Sequence, residues 1–146
     1  MIEQDTIKLL RECDAGTKMG ISSIDEVLNH VENKDFKKKL TVCKEEHEKL
    51  EREIRALLRN YGDEGKDPNP MAKGMSWMKT NMKLGIGTED NDKIIADLMT
   101  DGCNMGIKSL YKYLNQYPSA NSKVKDLCKR LISIEDQLRK ELRAYL

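Results

Sequence analysis

Residues 16–23 read Gly-Thr-Lys-Met-Gly-Ile-Ser-Ser and residues 102–109 read Gly-Cys-Asn-Met-Gly-Ile-Lys-Ser, so one pattern recurs 86 positions along the chain. The register continues beyond it, with Ile24 matching Leu110 and Leu28-Asn29 matching Leu114-Asn115. A duplicated segment whose apolar positions fall at helical intervals restricts the chain to two related helical halves. The glycines inside it add a second constraint. Each of Gly16, Gly20, Gly102 and Gly106 costs about 1 kcal/mol relative to alanine in a helix interior, so something must offset them. The expected compensation is a close crossing of the first and third helices, backbone against backbone; a kink at each site is the alternative.

The apolar rhythm places four long helices. Ile7, Leu10, Asp14, Thr17, Ile21, Ile24, Leu28 and Val31 advance by threes and fours, with only Asp14 and Thr17 interrupting an otherwise apolar stripe. After a break at residues 33–35, where Asp35 can cap a new helix, Leu40, Cys43, His47, Leu50, Ile54, Leu57 and Tyr61 repeat the rhythm. A third helix, entered through residues 88–92, carries Leu98, Cys103, Ile107, Leu110 and Leu114 and stops before Pro118. The fourth shows Val124, Leu127, Leu131, Ile134, Leu138, Leu142 and Tyr145.

Short connections make each pair of helices an antiparallel hairpin, the first over residues 3–61 and the second over 91–146. The segment between them, 62–90, opens with Gly62-Asp63-Glu64-Gly65-Lys66-Asp67-Pro68-Asn69-Pro70 and is long enough to travel the length of a bundle. Two hairpins joined by such a crossover predict an up-down-down-up, all-α four-helix bundle in a single domain spanning 1–146. An up-down-up-down path is the alternative if the crossover folds on itself. Within it, residues 71–84 form an amphipathic stretch with Met71, Met75, Met78 and Met82 on one stripe and three lysines elsewhere. A short helix lying on the bundle is the expectation, with docking on a partner or a membrane surface less favoured.

Composition narrows the function classes. Twenty-six basic against 25 acidic side chains leave a net charge of +1, which gives no long-range attraction for a nucleic-acid backbone. A charged content of 35% with only 38% hydrophobic residues suits amphipathic helices with solvated outer faces. The start, Met-Ile-Glu-Gln-Asp, lacks the basic and apolar regions of a secretory signal, and no apolar run approaches a membrane span, so a cytoplasmic protein is expected. Cys13, Cys43, Cys103 and Cys128 lack metal or redox spacing and read as small buried hydrophobes. Cys43 and His47, four residues apart, could in addition pair as thiolate and imidazolium.

The segment Cys43-Lys44-Glu45-Glu46-His47-Glu48-Lys49-Leu50 resembles the second helix of ferritin-like proteins, in which an acid three residues before a histidine supplies metal ligands. Here Lys44 holds the acid's position, and Ile132 stands three before Glu135 in the fourth helix, so the di-metal motif is absent from both. The chain looks closest to small bacterial ferritin-like proteins with degenerate metal sites. That resemblance implies a homo-oligomeric helical bundle and, at most, iron or manganese as cofactor. It does not carry over oxidase or iron-storage activity, because the motif residues for these are missing.

A shift of 88 aligns the second helix with the fourth and sets His47 against Glu135. Folding each hairpin about its turn brings His47 level with Gly20, and Glu135 level with residues 103–106. His47, Glu135, Asp14 and Asp101 are therefore the candidate metal residues, in a vestigial or mononuclear site. The leading functional expectation is a non-catalytic binding or interaction module. The alternative is a metal-dependent redox or iron-handling protein to which Glu53, Asp97 and Glu141 also contribute.

Overall fold

The computed structural model describes residues 2–68 and 91–146. Four helices hold most of them: α1 (Ile2–Leu28), α2 (Lys34–Asn60), α3 (Asn91–Gln116) and α4 (Ser122–Leu142), followed by a single 3-10 turn, Arg143–Tyr145. There are no strands among the described residues. The methionine stripe at 71–84 lies outside them.

The starts of α2 and α4 are set by asparagines. Asn33, not Asp35, caps α2: its extended backbone leaves the helix while its side chain accepts the N–H of Phe36 at 3.0 Å. Asp35 falls inside the first turn, where its charge favours the helix dipole. Asn121 caps α4 in the same way, accepting from Val124 at 3.0 Å, so the two hairpin turns are chemically equivalent.

Chain direction follows from the contacts between turns. At one end of the bundle the Asp92 carboxylate, at the start of α3, accepts the N–H groups of Glu32 and Asn33 at 2.8 and 2.9 Å. At the other end the α3–α4 turn donates from Ser119 to Asp5 and from Asn121 to Thr6, while the Asn121 amide donates to the Tyr61 hydroxyl. The end of α1 thus meets the start of α3, and the end of α2 meets the start of α4. The helices run up, down, down, up, and residues 62–90 connect opposite ends of the bundle.

The apolar interior is divided into two clusters. The upper one gathers Ile24, Val27, Phe36, Leu40, Ile95, Met99, Leu138 and Leu142, with Tyr145 stacked on Phe36 at 4.3 Å between ring centres. The lower one gathers Leu9, Leu10, Leu50, Ile54, Leu58, Leu110, Leu127 and Leu131. No helix among the described residues is long and apolar enough to cross a membrane.

Asp92 ties the backbone of the first hairpin turn to the second half by two hydrogen bonds. Asp92→Ala leaves two backbone donors without their charged acceptor and is expected to lower stability by roughly 1.5–3 kcal/mol, read as a shift in the urea midpoint at constant slope.

Candidate functional site

Between the two apolar clusters lies a layer that the repeat builds. Gly16, Met19, Gly20 and Ser23 stand at helical intervals on one face of α1, and Gly102, Met105, Gly106 and Ser109 occupy the same places on α3. All eight line one cavity of about 450 Å³, floored by His47, Glu135 and Leu138 from α2 and α4. It meets solvent between α1 and α3, where Met105 keeps 59% exposure.

The glycines do not bring two backbones together as expected. Both helices run unbroken through them, and what they meet is side chains. A Cβ on Gly20 would lie 2.5 Å from His47 Nε2, and one on Gly106 would lie 2.5 Å from Glu135 Oε2. The second glycine of each repeat therefore makes room for the polar residue of the neighbouring helix. The first glycine has no such tight neighbour: Gly16 would only touch Leu131 at 3.4 Å, and Gly102 would meet nothing within 4 Å. At these positions the missing side chains widen the cavity.

His47 is 1% exposed. Its Nδ1 lies 2.8 Å from the Cys43 carbonyl oxygen, which can only accept, so Nδ1 carries the proton and Nε2 presents a bare lone pair. Nε2 is buried without a partner, over Gly20. Burial pushes the imidazole below its ordinary value, against the Cys43 carbonyl, which favours the cation. Glu135, its counterpart, has an unpartnered buried Oε2, and its carboxyl is pushed up to about 8, first by burial and then by the nearby Cys128. Burial thus favours the uncharged form of both groups. The expected thiolate–imidazolium pair does not form: Cys43 Sγ sits 3.6 Å from His47 Nδ1, but burial raises the thiol to about 12.

Asp14 and Asp101 do not join this pair. Asp101 is exposed on α3. Asp14 is fully buried and committed elsewhere, accepting the Lys66 N–H at 2.9 Å and pairing with the Lys18 ammonium at 2.8 Å. Gly65, at φ +88, fits its backbone against that carboxylate. Burial opposes ionisation of Asp14, but its neighbours Glu51, Lys18 and Lys66 outweigh it and hold its carboxyl below the usual range. Glu51 is pushed the other way, to about 8, by burial and by Asp14. Two neighbouring buried carboxyls disfavour carrying two charges, and the one held by Lys18 keeps its charge more readily. Neither Glu51 nor this pairing was legible in the sequence, since Glu51 reads there as one acid in a charged helix. The charged run Lys49 to Arg55 gave no signal that Glu51 turns inward.

The remaining acids considered for metal chemistry have other roles. Glu53 forms a two-pronged pair with Arg130 at 3.0 and 2.7 Å, Glu141 accepts from the Gln137 amide, and Asp97 is exposed. No three His, Cys, Asp or Glu side chains among the described residues gather as a metal centre requires. The donor set does not fit a di-metal site.

Two measurements check this geometry. Gly102→Ala should stabilise the protein by up to about 1 kcal/mol, because it adds helix propensity into open space, whereas Gly20→Ala should destabilise it by displacing His47. Thermal unfolding of both variants reads the opposite signs. With Glu51 and Glu135 both near 8 in the folded chain and near 4.5 when unfolded, the folded state keeps protons that the unfolded chain releases. Stability is therefore greatest below about pH 4.5 for these groups and falls as pH rises to 8, each by at most about 1.4 kcal/mol per unit. Glu135→Gln should flatten that decline in urea titrations across the same window.

Residues 5–116 match the profile of a family described as Domain of unknown function (DUF2383). The match spans α1, α2 and α3 and ends before α4, the helix that supplies Glu135. No curated protein and no solved structure matches the chain. The match covers most of the sequence, and the chain belongs to the DUF2383 family.

Proposed function

We propose that this protein is a non-catalytic bundle of ferritin-like type that binds a small molecule in its core. One observation carries the reading: His47 Nε2 and Glu135 Oε2, buried and without hydrogen-bond partners among the described residues, face the same cavity between the duplicated glycine faces. Buried polar atoms are almost always satisfied, and leaving one unsatisfied costs roughly 1–3 kcal/mol. Two such atoms in pseudo-equivalent positions, at a cavity that glycines keep open, fit a site completed by a ligand. The ferritin-like resemblance supports the location, since such bundles place their functional groups on inward faces of the same helices. The absence of a carboxylate cluster argues against oxidase chemistry there.

The alternative is a protein handling iron or manganese, with the bare His47 nitrogen as its strongest donor. Purification without chelators, followed by elemental analysis and native mass spectrometry, separates the two. Substoichiometric metal, together with an organic molecule released on denaturation or saturable uptake of a small organic probe, is the expected result. Stoichiometric iron or manganese that disappears in His47→Ala would overturn the proposal.

A further inference from the structure

Resting on the ligand-binding reading, we propose that the cavity takes an uncharged, planar aromatic molecule with hydroxyl or N–H groups at its edges, one of which donates to His47 Nε2. Three features of the site lead to this class.

The first is polarity. His47 Nε2 accepts and cannot donate, because Nδ1 holds the ring's proton against the Cys43 carbonyl. A ligand must bring a donor to it. Glu135 in its acid form both donates and accepts, so it pairs with a hydroxyl or an amide edge without any charge being created. A cationic ligand would instead have to ionise Glu135 in a site that keeps it neutral, and a metal ion would find no cluster of three donors among the described residues.

The second is shape. Gly16 and Gly20 on α1 and Gly102 and Gly106 on α3 all line the cavity; His47 and Glu135 take the space left at Gly20 and Gly106, while Gly16 and Gly102 leave the wall bare. At Gly102 no described residue comes within 4 Å of where a Cβ would stand, so packing does not require a glycine there. Bare helix wall with its polar groups on the floor suits a ring laid face-on with its edge toward His47 better than a puckered aliphatic molecule.

The third is the chemistry of the sides. Met19 and Met105 flank the glycine strip from the two helices, and thioether sulfur makes favourable contacts with aromatic rings. The same strip on two antiparallel helices presents equivalent surfaces to both faces of a ring. Selection for one flat occupant accounts for the duplicated Gly-x-x-Met-Gly pattern, including the two glycines that packing does not demand.

Three probes, added to the full-length protein and followed by calorimetry and by the imidazole nitrogen NMR signal of His47, test the class. A naphthalenediol is planar and uncharged, naphthylmethylamine is planar and cationic, and cyclohexanediol is uncharged but puckered. The naphthalenediol is expected to bind one molecule per chain, at least about tenfold more tightly than either other probe, and to shift the Nε2 signal. Gly102→Leu, which projects into open space and leaves His47 untouched, should keep the fold and abolish that binding. Equal or tighter binding of the amine or the puckered diol at His47 would overturn the proposed class while leaving the ligand-binding reading intact. Naphthalenediol binding that survives Gly102→Leu would overturn the proposed slot. Failure of all three probes to perturb His47 would overturn both readings.

Discussion

The packing of His47 onto Gly20 and of Glu135 onto Gly106 is the contact on which the middle of this bundle depends. Neither polar side chain could enter its place if the facing residue carried a Cβ, since that atom would lie 2.5 Å from Nε2 in one case and from Oε2 in the other. The helix-propensity deficit at Gly20 and Gly106 is thus tied to a steric requirement. Everything at this level follows from that: the apolar interior breaks into an upper and a lower cluster, and a polar, partly hollow layer separates them.

The layer is asymmetric in chemistry though symmetric in placement. The two halves put a base and an acid in equivalent positions, and burial drives both to their neutral forms. Neither is neutralised by an opposite charge inside the protein, so their lone pairs and proton are available to whatever enters. One turn further down, Asp14 shows the contrasting outcome. It too is buried, but the Lys18 ammonium and the Lys66 N–H both hold its Oδ2, and its carboxyl stays below the usual range. Its role is to fasten the start of the crossover to α1, with Gly65 seated against it.

The architecture was largely readable from residue order. Apolar spacing set four helices, the short links at 29–33 and 117–121 set two hairpins, and the glycine- and proline-bearing run after Tyr61 required a long connection. The pairing of His47 with Gly20 and of Glu135 with the 103–106 region followed from helical rise alone, because a hairpin folded about a short turn fixes which residues lie level. The capping residue of α2 was misplaced by two positions, since Asn33 and Asp35 are both competent caps and only backbone geometry distinguishes them.

What sequence could not supply was the direction and state of the polar groups. The face that Glu51 turns inward, the commitment of Asp14 to a loop 52 residues away, and the exposure of Asp101 all depend on how helices rotate against one another. Periodicity gives that rotation only to within a side chain's reach. The sequence by itself determined a duplicated four-helix chain and the level at which its glycines, histidine and glutamate meet. Only the tertiary structure decided that this level is a cavity and not a tight crossing. The distance between two helices is set by every side chain packed between them, and no pair of glycines specifies it alone.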